Sequence, residues 1–98
     1  MGRKENKVEN LLYDGVKSLG GMAFKFISPG MAGVPDRLVC LPGGEVHFVE
    51  LKANGGRLSK LQERRISQLR KLGHTAVVLT GREEVLHYLD NLRELVNE

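Results

Sequence analysis

The sequence has one cysteine, no tryptophan, three prolines and five aromatic residues of the phenylalanine and tyrosine types among its 98 residues. A single thiol, Cys40, excludes an internal disulfide and any zinc site built from several thiolates. Within "RLVCL" it is expected to pack as a small hydrophobe. So few aromatics leave little material for stacking on unpaired bases. No apolar run reaches the length of a membrane span, and the N-terminal "MGRKENK" is too charged for a signal peptide, so the expected location is the cytoplasm, with no membrane partner. No phosphate-binding Walker loop, dinucleotide glycine motif or nucleophile elbow is present. The net charge of +3 is mild, but it is unevenly distributed, because Arg57, Lys60, Arg64, Arg65, Arg70 and Lys71 fall within one short stretch.

What is present reads as one α/β domain over residues 1–98. Val8, Leu11, Leu12, Val16 and Leu19 recur at helical spacing and predict a helix over residues 5–19, ended by Gly20-Gly21. "MAFKFI" (22–27), "DRLVCL" (36–41) and "EVHFVELK" (45–52) read as strands, separated by the glycine- and proline-bearing "SPGMAGVP" and "PGG". Ser59 followed by Gln62 is a capping-box pattern opening a second helix. "HTAVVLT" is a fourth strand, and "REEVLHYLDNLRELV" closes the chain as one or two helices. The order α-β-β-β-α-β-α predicts a mixed sheet flanked by helices, with a parallel crossover between the third and fourth strands.

The short loop makes the second and third strands an antiparallel hairpin. Pairing Leu41 with Glu45 sets Cys40 against Val46, Leu38 against Phe48 and Asp36 against Glu50, with Lys52 on the face of Glu50. Two facing carboxylates raise one another's pKa unless a cation sits between them. A hard divalent ion, content with a few carboxylates, water and phosphate, suits that gap. The plainer reading leaves Glu50 and Lys52 as surface residues of an edge strand.

The segments "VENLLYDGVKSLGG", "FKFISPGMAGVPDR", "LPGGEVHFVELKANGG" and "LSKLQ" resemble, in order and spacing, the virus-type replication-repair nuclease (VRR-Nuc) domain of the PD-(D/E)xK nucleases, in its small stand-alone phage form. The resemblance implies a restriction-endonuclease-like fold, a phage origin and a phosphodiesterase that depends on Mg²⁺ or Mn²⁺. It makes Asp36 and Glu50 metal ligands, with the backbone carbonyl of Leu51 as a third oxygen, and Lys52 the catalytic lysine. A first-helix glutamate completes the family's set: Glu9, with Glu5 as the alternative. Gln62 corresponds to a glutamine that orients water or phosphate, although the capping box explains it without chemistry.

Lys25 and Arg37 flank the proposed site, Ser28 lies in a loop whose backbone can approach DNA, and Arg57, Lys60 and Arg64 lead the basic helix that would hold backbone phosphates. Arg37 alternates away from Asp36, which makes a salt bridge elsewhere an equal expectation. The expected substrate is branched or duplex DNA. A homodimer, implied also by the family's likeness to Holliday junction resolvases, would supply two sites, with Leu89, Leu92 and Val96 either at its interface or packed on the sheet. The rival classes are a non-catalytic nucleic-acid-binding or scaffold domain of the same fold, and a small interaction protein.

Overall fold

The computed structural model describes residues 6–97. Helix α1 (Lys7–Ser18) opens on Asn6, whose side chain accepts the Glu9 amide at 3.0 Å, and it ends where Gly20 adopts a φ of 87°. Three strands follow: β1 (Met22–Lys25), β2 (Arg37–Cys40) and β3 (Val46–Lys52). Helix α2 (Lys60–Lys71), strand β4 (Thr75–Thr80) and one helix α3 (Gly81–Val96) complete the predicted order. Strands β1 and β2 are shorter than expected, since proline and glycine in the intervening loop release the chain; one bond, from the Phe26 amide to the Asp36 carbonyl at 2.8 Å, continues the pairing. Glu5 lies outside the described residues.

The sheet order is β1-β2-β3-β4, antiparallel throughout except for the β3–β4 pair, which α2 crosses over. The predicted hairpin register holds, with Leu38 opposite Phe48 and Cys40 opposite Val46. Alternation then sends the two faces of the sheet to different fates. One face carries Val39, Val49 and Leu79 into a core with Leu12 and Val16 of α1 and Val85, Leu89 and Leu92 of α3. Gly15 lets the two helices meet, since a Cβ there would lie 2.4 Å from a Leu89 methyl. Leu89 and Leu92 are therefore core residues, and the closing helix packs back on the sheet instead of offering them to a partner.

Helix α2 lies on the opposite face, over β4, where Ile66 is buried, with its first turn reaching Glu50 of β3. Over β1 and the start of β3 that face is open, leaving Met22, Phe24 and Val46 exposed. No helix among the described residues is long and apolar enough to cross a membrane.

Candidate active site

Strand β3 is the platform of the site. Its face turned toward α2 carries Glu50 and Lys52, two residues apart, and Lys52 Nζ lies 3.5 Å from Glu50 Oε2. Glu50 is 4% exposed, so its charge is poorly solvated. Burial first, and then the negative charge of Asp36, push its carboxyl above the usual range, with Lys52 pulling the other way and losing. Asp36 stands one step beyond the Arg37–Val49 pair of the hairpin, and its Oδ1 accepts the Leu51 amide at 3.3 Å. The hairpin thus brings Asp36, Glu50, Lys52 and the backbone of Leu51 to one end of the sheet.

Gln62 reaches the same place from the first turn of α2. Its Oε1 accepts the Ser59 amide at 2.9 Å, its own amide donates to Ser59 Oγ at 3.1 Å, and its Nε2 donates to Glu50 Oε2 at 3.2 Å. The cap and the contact with Glu50 use opposite ends of one side-chain amide, so the capping box does not keep Gln62 from the site.

Glu9 is held differently. Its Oε2 pairs with Arg37 Nη2 in a close salt bridge and accepts the Tyr13 hydroxyl at 3.2 Å. Burial would raise the Glu9 pKa, but the hydrogen bond and charge of Arg37 outweigh it and hold the carboxyl below its ordinary value. Arg37 also reaches back to Asp36, with Nη1 2.9 Å from Oδ2 and 3.1 Å from the main-chain oxygen. Among the described residues, no group of three His, Cys, Asp or Glu is gathered as a metal site. Glu9 approaches the other carboxylates only through an arginine.

Arg37, expected either as a phosphate contact or in a salt bridge, is engaged by Glu9 and Asp36. Its side chain is 10% exposed and occupied by two carboxylates, because alternation turns it with Val39 toward α1. A salt bridge of Arg37 was an expectation from the sequence, but its bridging of Glu9 and Asp36, and the place of Tyr13 beside Glu9, were not. Lys25, Arg57, Lys60 and Arg64 are exposed and Ser28 is half-buried. Two other cations of the basic helix are spent internally: Arg65 Nε donates to the Ala32 carbonyl at 3.0 Å and Arg70 Nε to the Ala76 carbonyl at 2.8 Å. His47, on the sheet face opposite Glu50, is buried with Nδ1 2.7 Å from the Tyr88 hydroxyl.

Similarity to known proteins covers the same region. The VRR-NUC domain family model matches residues 11–83, which takes in Asp36, Glu50, Lys52 and Gln62 and stops short of Glu9. A curated protein, "Putative nuclease p44" of Acyrthosiphon pisum secondary endosymbiont phage 1, is 45% identical over 80 residues, spanning 82% of this chain and 86% of its own. A solved structure described as "VRR_NUC domain" superposes with a TM-score of 0.80 at 29% identity, over 86% of this chain and 91% of that one. A second, "VRR_NUC domain protein", reaches 0.61 at 23% identity over 95% and 93%, and speaks to the fold alone. A family match over most of the chain, with the sheet end inside it, leads to one conclusion: this chain belongs to the VRR-NUC domain family.

Proposed function

We propose that the chain is a divalent-metal-dependent endonuclease that hydrolyses phosphodiester bonds in branched or duplex DNA. The observation that carries the reading is Glu50: a buried carboxylate, beside Asp36, held above its ordinary pKa with Lys52 and Gln62 directed at the same oxygen. Nothing in folding requires that concentration of poorly solvated charge, and perturbed carboxylates of this kind mark functional sites.

The donor set fits a hard cation. Asp36 and Glu50 offer carboxylate oxygens, the Leu51 carbonyl is the third oxygen implied by the family resemblance, and Mg²⁺ or Mn²⁺ is commonly held by one or two carboxylates plus water and substrate phosphate. Each Asp36 oxygen has one protein partner and a second lone pair to spare. When bound, such an ion supplies Lewis acidity toward the scissile phosphate and lowers the pKa of water. Lys52 keeps an ammonium at the mouth of the site, where it steadies phosphate charge or gives up a proton. Gln62 fixes the Glu50 carboxylate and presents an amide to water or phosphate. The exposed Lys25, Arg57, Lys60 and Arg64 surround this end of the sheet or the start of α2 and would neutralise backbone phosphates, with salt-sensitive affinity.

One site meets one strand, so cutting both strands of a duplex or junction takes two copies. The open sheet face supports this part of the reading. Rows Met22–Cys40–Val46 and Phe24–Leu38–Phe48 run across three strands in register. A stable interface buries ~800 Å² per partner, and an apolar face left open is where such a contact would form. Phe24→Lys is expected to convert a dimer to a monomer in sedimentation velocity while leaving the thermal transition in place.

Cleavage of labelled four-way junction, flap, nicked and linear duplex DNA, with Mn²⁺, Mg²⁺ or EDTA and beside Glu50→Ala, tests the activity. Metal-dependent cutting lost in the variant is the expected result. Binding without cutting by the intact protein would favour a non-catalytic domain of the same fold.

A further inference from the structure

We propose that Arg37 is a positioning residue, which fixes the Asp36 carboxylate before any ligand arrives, and that Glu9 acts on the site only through it. This rests on the nuclease reading for its consequence, but on the geometry of the three side chains for its substance.

An arginine buried simply to neutralise Glu9 would set its fork on that carboxylate, because two parallel N–H···O bonds are the strongest arrangement open to it. Arg37 does otherwise. It gives Nη2 to Glu9 Oε2 and turns Nη1 to two oxygens of Asp36, the carboxylate Oδ2 at 2.9 Å and the main-chain carbonyl at 3.1 Å. Nε is left buried without a hydrogen-bond partner. A donor left unsatisfied is a cost that the Glu9 pair alone does not explain. It follows directly if the side chain is stretched between two anchors.

The anchors lie on different elements. Glu9 is on α1, steadied by the Tyr13 hydroxyl one turn later, and Asp36 is at the entrance to β2. With Oδ2 on Arg37 and Oδ1 on the Leu51 amide, both oxygens of Asp36 are engaged and its side-chain rotation is determined. The Leu51 bond also ties Asp36 to the strand that carries Glu50 and Lys52. Partners of this kind tune ligand groups: removing one typically costs about 10–100-fold in metal affinity or activity. Lysine cannot substitute, since a single nitrogen cannot span two carboxylates in a plane.

The test uses the full chain, metal-free protein and Mn²⁺ alone as the probe. Four variants are compared with wild type: Arg37→Met, Arg37→Lys, Glu9→Gln and the charge-balanced double Glu9→Gln/Arg37→Met. Isothermal titration reads Mn²⁺ affinity, thermal unfolding reads the fold, and the Leu51 amide in ¹⁵N-correlated NMR, recorded in EDTA, reads the Asp36 contact without any metal. Arg37→Met should weaken Mn²⁺ binding about 10–100-fold and increase exchange of the Leu51 amide. Arg37→Lys should fold and recover little of either. The double variant should regain most of the lost thermal stability, since no charge is stranded, yet keep the weak affinity and the exposed amide.

Recovery of stability, affinity and amide together in the double variant would reduce Arg37 to a counter-ion and overturn the proposal. So would an unmoved Leu51 amide in both Arg37 variants. If wild type binds no Mn²⁺, the metal reading fails by itself, and the Leu51 amide alone decides for or against Arg37.

Discussion

Glu9, half-buried, and Glu50, buried, are both glutamates facing a cation, yet their proton affinities move in opposite directions. Glu9 has a guanidinium in direct contact and a tyrosine hydroxyl on the same oxygen, and its carboxyl is held low. Glu50 has an ammonium 3.5 Å away, a neutral amide at 3.2 Å and a second carboxylate nearby, and its carboxyl is pushed up. Glu50 is the more deeply buried, its side chain 5% exposed against 14% for Glu9, so burial and partners together separate the two. A carboxylate in direct contact with a guanidinium has its charge answered, whereas one left short of positive charge is a seat for more. The difference separates a group that holds the site together from a group that can work in it.

The two cations should be separable by what their loss damages. Lys52→Met is expected to lower cleavage by roughly 10²–10⁴-fold, as removal of a group handling protons in the reaction does, with the unfolding transition little changed. Arg37→Met should instead cost roughly 3–5 kcal/mol of stability in urea unfolding, because it strands a buried Glu9 carboxylate. Equal loss of stability in the two variants would erase the distinction. The capping box sharpens it from the α2 side. Ser59→Ala should cost about 1 kcal/mol and spare cleavage, whereas Gln62→Ala should lose both the cap and turnover.

The smallest effects should be opposite in sign. Glu50 has a folded pKa above its unfolded one, so its native state binds the extra proton and its ionisation destabilises the fold as pH rises. Without metal, Glu50→Gln should therefore raise the melting temperature at pH 7, and the gain should vanish below about pH 4.3, where the unfolded glutamate also carries its proton. Glu9 has a lowered folded pKa, so it contributes stability above the ordinary glutamate range that is lost as pH falls through its folded pKa. Glu9→Gln should lower the melting temperature at pH 7, and the deficit should close in acid. Two variants shifting the same way would mean that the contrast between these carboxylates is misread.

Much of this site was legible in one dimension. Helical spacing, glycine and proline punctuation and the short loop after Leu41 specify the elements and the hairpin register, because local backbone preferences and strand alternation act over a few residues. That register alone carries Asp36 to Glu50 and puts Lys52 beside it. Gln62 was legible too, as half of a capping box. The tertiary structure decided what depends on packing across elements: that Leu89 and Leu92 are consumed by the core, that Met22 and Phe24 are left uncovered, and that Arg65 and Arg70 serve backbone carbonyls. It also decided the place of Arg37. Nothing within a few residues of an arginine says which distant carboxylate it will meet; only the docking of α1 on the sheet brought Glu9 within reach and made one side chain the link between the first helix and the site.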